Sequence, residues 1–224
     1  EKNIPGAVYF FFYRNRAMEI SQKNTPTLSL EVILETGPVI LDLINSEGSF
    51  DGFNVKLASG SSSGLNTDTY AFYRGVVRRK ESESLVSLGF YNGEVSAMIS
   101  IANQNLVLGK MKDVERYILY DEKKLPQKNI NCGTPDRPAG NKGSAYNVNT
   151  NALYAGRTSL TKCVKLYYET EYDIYTSFDN DVARVRSYVG FLHNQVSTLY
   201  LNEGIKVTLN STFVWDRAES YTSS

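Results

Sequence analysis

Short apolar segments with a two-residue period dominate the first half of the chain. Between residues 28 and 34 an apolar side chain stands at every second position, as in a strand with one buried face. Further strands are predicted at residues 39–44, 70–77, 84–90, 94–101 and 105–108. Asn92-Gly93 is typical of a tight hairpin. Residues 1–125 are therefore predicted to form a β-rich domain, either a sandwich or a barrel-like sheet.

Charge and hydropathy exclude several kinds of partner. Basic and acidic residues number 24 each, so the net charge is zero and predicts no grip on nucleic acid or on an anionic membrane. The longest apolar run, residues 7–13 (AVYFFFY), is far shorter than the ~20 residues of a membrane span. We interpret this run as a buried strand, and we expect no membrane span in the chain.

Residues 126–161 differ from the chain on either side. Pro126, Pro135 and Pro138 fall here with several Gly and Asn residues, while aliphatic side chains are few. Such composition is typical of a linker. Because a connection of this length is unusual inside a compact domain, we expect a boundary between domains at residues 1–125 and 162–224.

The last part of the chain has a helical period between two strands. A strand is predicted at residues 163–168, and apolar residues then recur at spacings of three and four from Val182 to Leu199. Asp179-Asn180 can cap this helix, and strands are predicted at residues 205–209 and 213–215. Strand, helix and strand in this order predict parallel pairing and an α/β unit. The fold class predicted for the whole chain is α+β.

Motifs for catalysis are absent from the sequence. His193 is the one histidine of the chain and is followed by Asn194, so no HExxH occurs. One His and two distant Cys cannot build a tetrahedral zinc site by themselves. His193 is therefore interpreted as structural.

Cys132 lies in the Pro- and Gly-rich stretch, within Asn131-Cys132-Gly133-Thr134-Pro135. This context indicates an exposed thiol. Two other interpretations stay open, a Cys132–Cys163 disulfide and an ordinary surface thiol. Elsewhere, Asn210-Ser211-Thr212 is a candidate glycosylation site at Asn210.

The ordered set of motifs resembles the adamalysin (reprolysin, ADAM-type) metalloprotease precursors, which are metzincins. Residues 70–76 (YAFYRGV), 84–88 (SLVSL) and 91–93 (YNG) resemble a prodomain pattern, although the Cys that the family often has in this stretch is missing. Residues 131–134 (NCGT) are similar to the family's cysteine switch. Residues 163–215 are similar to the opening of the catalytic domain, in which Asn194 and Tyr200 fit the end of the long helix.

The resemblance implies a secreted zymogen of a zinc-dependent metalloendopeptidase. It implies a β-rich prodomain, a linker with the cysteine switch, and the first strand-helix-strand part of an α/β catalytic domain at residues 162–224. Cys132, flanked by Asn131, Gly133 and Thr134, would ligate the zinc and inhibit the enzyme.

The zinc-binding HExxHxxGxxH is expected after Ser224, so this fragment would be inactive and would bind no zinc alone. Its partners would be its own downstream catalytic domain and the protein substrates of the parent. The alternative is a secreted β-rich binding or adhesion module without catalytic activity.

Overall fold

The computed structural model describes residues 4–46, 49–60, 69–112, 114–125 and 163–220. Its helices are α1 (Arg14–Lys23), α2 (Tyr172–Ser177) and α3 (Val182–Asn202). Its strands are β1 (Val8–Phe10), β2 (Thr27–Leu34), β3 (Gly37–Asn45), β4 (Phe50–Leu57), β5 (Tyr70–Val77), β6 (Ser84–Tyr91), β7 (Glu94–Ile101), β8 (Gln104–Lys110), β9 (Tyr117–Asp121), β10 (Cys163–Thr170) and β11 (Lys206–Val214).

The larger sheet is antiparallel throughout and curls into a half-barrel. Its strand order is β1-β9-β8-β7-β6-β5-β3-β2, so most neighbours are also consecutive in the chain. Short connections explain this meander, and the hairpin between β6 and β7 turns at Asn92 and Gly93, both with positive φ. The prediction of a β-rich N-terminal part is confirmed.

Both faces of the centre of this sheet are covered. On one face Ala71, Tyr73 and Leu88 join a core that includes Ala17 of α1. On the other face Phe72 packs in a second core with residues of α3. Alternation along the strands sends neighbouring side chains to opposite faces, which is why every residue of β6 is buried.

The smaller sheet combines strands from the N-terminal and the C-terminal parts of the chain. Its order is β10-β11-β4, and all of its pairs are parallel. The predicted parallel pairing of the strands before and after the long helix is confirmed. β4 was not predicted, and it comes from the N-terminal part. The predicted boundary at residues 126–161 falls outside the described residues, yet strands from both sides of it share this sheet.

The first aromatic run was interpreted wrongly. Within residues 7–13 the strand covers Val8–Phe10, and the side chains of Phe11 and Tyr13 are 72% and 81% exposed. Phe11 instead lies against the Arg116 guanidinium, 5.5 Å from the ring centroid. A run of apolar residues predicted burial, but β1 pairs at the edge of the sheet and the chain leaves it after three residues.

The N-terminal end of the long helix also differs from the prediction. The N-cap of α3 is Asp181, whose carboxylate accepts from the amides of Ala183 and Arg184. Asp179 and Asn180 precede it with φ of 58° and 59°, in the left-handed conformation that Asp and Asn tolerate. They turn the chain from α2 into α3 rather than cap the helix.

Gly89 provides a test of the packing between α3 and the larger sheet. A Cβ atom built there lies 2.7 Å from the rings of Phe191 and Phe72. We expect Gly89→Ala to lower the free energy of unfolding by about 1–3 kcal/mol because the rings must shift in a packed core. Urea denaturation measures the change.

Gly109 is the matched control, because it also lies in a strand but a Cβ there meets nothing within 4 Å. Gly109→Ala is expected to leave the stability unchanged or slightly raised. Equal unfolding midpoints for the two variants would contradict the described approach of α3 to β6.

Candidate functional site

The residues predicted to form the zinc switch cannot be located in the fold. Cys132 and its neighbours Asn131, Gly133 and Thr134 lie outside the described residues. The thiol of Cys163, at the start of β10, is free and exposed. The cysteine switch stays a prediction.

Asn210, the candidate glycosylation site, is exposed on β11. Leu166 and Tyr167 of β10 are consecutive, but their partners on β11 are Leu209 and Ser211, so Asn210 is the extra residue of a β-bulge. The bulge brings the Asn210 side chain to the surface of an otherwise largely buried strand. Its modification stays a prediction.

His193 lies where the two ends of the chain meet, and its side chain is fully buried. Its Nε2 is 2.8 Å from the carbonyl oxygen of Ser49, just before β4, and its Nδ1 is 3.4 Å from the hydroxyl of Tyr168 on β10. A carbonyl oxygen can only accept, so Nε2 carries the proton and Nδ1 accepts from Tyr168. The rings of Phe50 and Tyr168 pack edge-on against the imidazole.

The surroundings of His193 favour its neutral form. Burial lowers the pKa of the ring below its ordinary 6.5, and the hydrogen bond to Ser49 opposes this only in part. Burial also raises the pKa of Tyr168 to about 12, so the hydroxyl keeps its proton. His193 is thus a neutral bridge between α3, β10 and the chain that enters β4, in agreement with the structural role predicted for it.

Asn194, the next residue, connects α3 to the larger sheet through hydrogen bonds of its side chain. Its side-chain amide donates to the carbonyl oxygens of Tyr73 and Leu88, at 3.0 and 3.1 Å, and lies 2.9 Å from the Ser87 hydroxyl. These acceptors belong to the adjacent strands β5 and β6. Asn194 is 1% exposed, so the contacts are shielded from water. The backbone oxygen of Asn194 in turn accepts from Thr198 at 2.6 Å.

Neither His193 nor its surroundings form a metal centre. Both ring nitrogens are engaged by Ser49 and Tyr168, which leaves no lone pair for a metal. Within the described ranges no group of three or more His, Cys, Asp or Glu side chains could hold a metal ion. We therefore assign the polar pair His193 and Asn194 to the assembly of the fold, not to catalysis.

An open cleft of about 470 Å³ lies between the larger sheet and the helices α2 and α3. Three of its charged side chains form ion pairs: the Lys110 ammonium lies 3.1 Å from Glu94 and 2.8 Å from Glu115. The Glu115 hydrogen bond raises the pKa of Lys110, against the effect of partial burial. Arg184 pairs with Asp179 across the start of α3. Lys112 also lines the cleft, so three basic and three acidic side chains of the described residues balance and leave no excess of either charge that would select a ligand.

A feature of the sequence points to Asn194, although the apolar periodicity of the helix does not include it. His193, Asn194, Ser197 and Thr198 interrupt the apolar stripe of α3, and all four are buried. Polar residues on a buried helix face require hydrogen-bond partners. The partners of Asn194 lie on β5 and β6, and those of His193 are Ser49 and Tyr168. These partners are distant in sequence, so the contacts could not be assigned before the fold was known.

Substitution of Asn194 tests how much its hydrogen bonds to the larger sheet stabilise the fold. Asn194→Ala leaves the carbonyl oxygens of Tyr73 and Leu88 buried without this donor, so we expect a loss of roughly 2–4 kcal/mol in the free energy of unfolding. Asn210→Ala, an exposed position on β11, is the control and should change stability by less than about 0.5 kcal/mol. Chemical denaturation of both variants gives the comparison.

Acidification tests the state of His193. Because its pKa is lowered in the folded chain, the unfolded chain binds the proton more readily. The stabilisation is complete above pH 6.5 and is lost as the pH falls from there towards the folded-state pKa. We expect thermal unfolding of His193→Gln to lack this component. A wild-type melting temperature that rises on acidification through this range would contradict the assignment.

Comparisons with models of protein families and with curated proteins find no match. The resemblance to adamalysins therefore rests on the residues quoted above and stays a prediction. Across the described part of the chain, no helix combines the length and apolar character that a bilayer crossing requires.

Proposed function

We propose that the chain is the inhibitory prodomain and the beginning of the catalytic domain of a secreted, zinc-dependent metalloendopeptidase of the adamalysin type. The zinc belongs to a part of the parent protein outside this chain. The partners are the rest of that catalytic domain and, for the parent, its protein substrates. By itself the chain is inactive.

The observation that carries this proposal is the unit formed by β10, α3 and β11. The two strands pair in parallel from Cys163↔Lys206 to Thr170↔Val214, and the helix packs on β11. The resemblance implies this order of strand, helix and strand at the start of a metzincin catalytic domain. Asn194, one of the residues that carry the resemblance, holds this unit on the larger sheet.

The arrangement of the two ends of the chain supports an inhibitory role for the N-terminal part. The larger sheet covers one side of α3, and β4 extends the smaller sheet alongside β11. A prodomain that packs on the catalytic domain in this way keeps any segment attached to the prodomain close to the catalytic domain. Tethering raises the effective concentration of that segment near its target.

Cys132 is proposed to act as the inhibitory ligand. When bound, a catalytic zinc supplies an activated water at its open coordination position. A thiolate from Cys132 in that position would exclude the water.

Inhibition in trans tests this role. The chain is added to the mature endopeptidase, together with the variants Cys132→Ala and Cys163→Ala. We expect the wild type and Cys163→Ala to inhibit. Cys132→Ala is expected to bind at least about tenfold more weakly, because a loss of about 1.4 kcal/mol in binding free energy lowers the affinity tenfold. Cys163 is the matched control because it is the other cysteine of the chain and is exposed at the start of β10.

Equal inhibition by both variants would refute zinc ligation by Cys132. A thiol titration of the unfolded, non-reduced chain provides an independent check, because a quantitative Cys132–Cys163 disulfide leaves no thiol for the switch. The coding sequence after Ser224 decides between the proposal and a non-catalytic binding or adhesion module. Absence of HExxHxxGxxH within about the next hundred residues would favour the module.

A further inference from the structure

We propose that the N-terminal segment (residues 1–125) stays bound to the C-terminal segment (residues 163–224) when the chain is cut between them, and that acid weakens this association through His193. A cut in the connection would then be insufficient to separate the two segments. The proposal concerns contacts between described residues and needs no ligand or metal.

The first support is the sheet that the two segments share. β4 pairs in parallel with β11 over Ser211↔Asn54 to Val214↔Leu57, with a further pair at Leu209↔Phe50. The pairing continues past the end of the strands, where the Ala58 amide donates to the Val214 carbonyl oxygen at 3.0 Å. Backbone pairing of this kind does not depend on an intact connection between the segments.

Side chains extend the contact beyond β4. The Asp216 carboxylate accepts from the Ser59 amide at 2.9 Å, and the Arg217 guanidinium donates to the Ala58 carbonyl oxygen at 2.6 Å. At the other end of the interface Asn194 donates to strands β5 and β6. Polar contacts at both ends fix the register of one segment on the other.

A common hydrophobic core lies between these polar contacts. Phe72 and Tyr91 of the N-terminal segment and Val185, Val189 and Leu209 of the C-terminal segment are each no more than 2% exposed. Full burial of one such side chain contributes about 1.5–3 kcal/mol in transfer from water. Separation would expose apolar surface on both segments.

The described residues of the C-terminal segment cannot cover both sides of α3 by themselves. The C-terminal segment offers two strands, β10 and β11, to cover α3, whose buried residues face the larger sheet as well as β11. A chain of about 60 residues buries a smaller fraction of its surface than a larger domain does and is marginally stable. Exposure of one side of its main helix would lower that stability further. The association is therefore expected to be tight.

His193 makes the association sensitive to acid. Its ring lies between Ser49 and Phe50 of the N-terminal segment and Tyr168 of the C-terminal segment. Tyr168 is the titratable group in contact with the ring, and the pKa of its hydroxyl is raised to about 12 by burial. Burial lowers the pKa of the ring and the hydrogen bond to Ser49 opposes this only in part, so a proton on His193 is unfavourable at this position.

Asp216 is the other titratable group in these contacts. Burial opposes its ionisation, but hydrogen bonds from Ser59 and its own backbone outweigh this and hold its pKa below the ordinary 3.8. Asp216 therefore keeps its charge at any pH near that of the histidine transition. His193, the one histidine of the chain, is the side chain whose ordinary pKa lies between about pH 5 and pH 7.5, and His193→Gln separates its contribution from that of other titrating groups.

Retention is tested by cutting. A recognition site for a specific protease is introduced between residues 125 and 132, and the cut chain is run on size exclusion at pH 7.5 and about 1 µM, with reductant present to exclude a disulfide link. We expect the two fragments to co-elute at the volume of the uncut chain. Separate elution would overturn the proposal.

The acid step is tested on the same cut chain. The dissociation constant is expected to rise as the pH falls from 7.5 to 5, by at most about tenfold per pH unit because a single ring binds one proton. In His193→Gln, whose side chain keeps a donor and an acceptor but does not titrate, it should stay constant. A pH-independent wild type, or an equal slope in the variant, would overturn this step.

A measurement on the intact wild type guards against misfolding of the variant. The imidazole signal in proton NMR belongs to one residue, since the chain has one histidine. We expect this ring to titrate at lower pH in the intact chain than in the urea-unfolded chain, and equal midpoints would overturn the acid step. The consequence for inhibition rests on the function proposed above, whereas co-elution and titration do not.

Discussion

The burial of α3 on two sides is the constraint on which the rest of the structure depends. One side of the helix packs on β11, and the other packs on β5 and β6 of the larger sheet. Val185 and Val189 are at most 1% exposed, and Gly89 leaves the space that the Phe191 ring occupies. Because the helix contacts both sheets, a change at its surface affects the packing of each of them.

The interior around α3 includes polar side chains. His193, Asn194 and Thr198 are at most 1% exposed. Apolar contacts tolerate small shifts, while hydrogen bonds fix partners and distances. The polar residues of α3 therefore add specificity to the position of the helix, at the cost of removing them from water.

Elements with a clear local period were predictable from the sequence. β5 was predicted with its observed bounds, and α3 was recognised from its apolar stripe. α1 was missed because its sequence, RNRAMEISQK, is mostly polar and its N-cap, Tyr13, makes no side-chain cap. β4 was missed because Asp51, Gly52 and Asn54 interrupt its apolar pattern, and its partner is remote. The residues of the junction depend on such remote pairs, while Cys132 lies outside the described residues.

The position of β4 has a consequence for synthesis of the protein. Phe50 pairs with Leu209, so β4 leaves the ribosome long before the strand that completes its sheet. At about 5–20 residues per second the delay is on the order of ten seconds. During that time the backbone groups and the apolar side chains of β4, such as Val55 and Leu57, lack their partners on β11. A nascent chain in this state offers a binding site for chaperones and a starting point for aggregation.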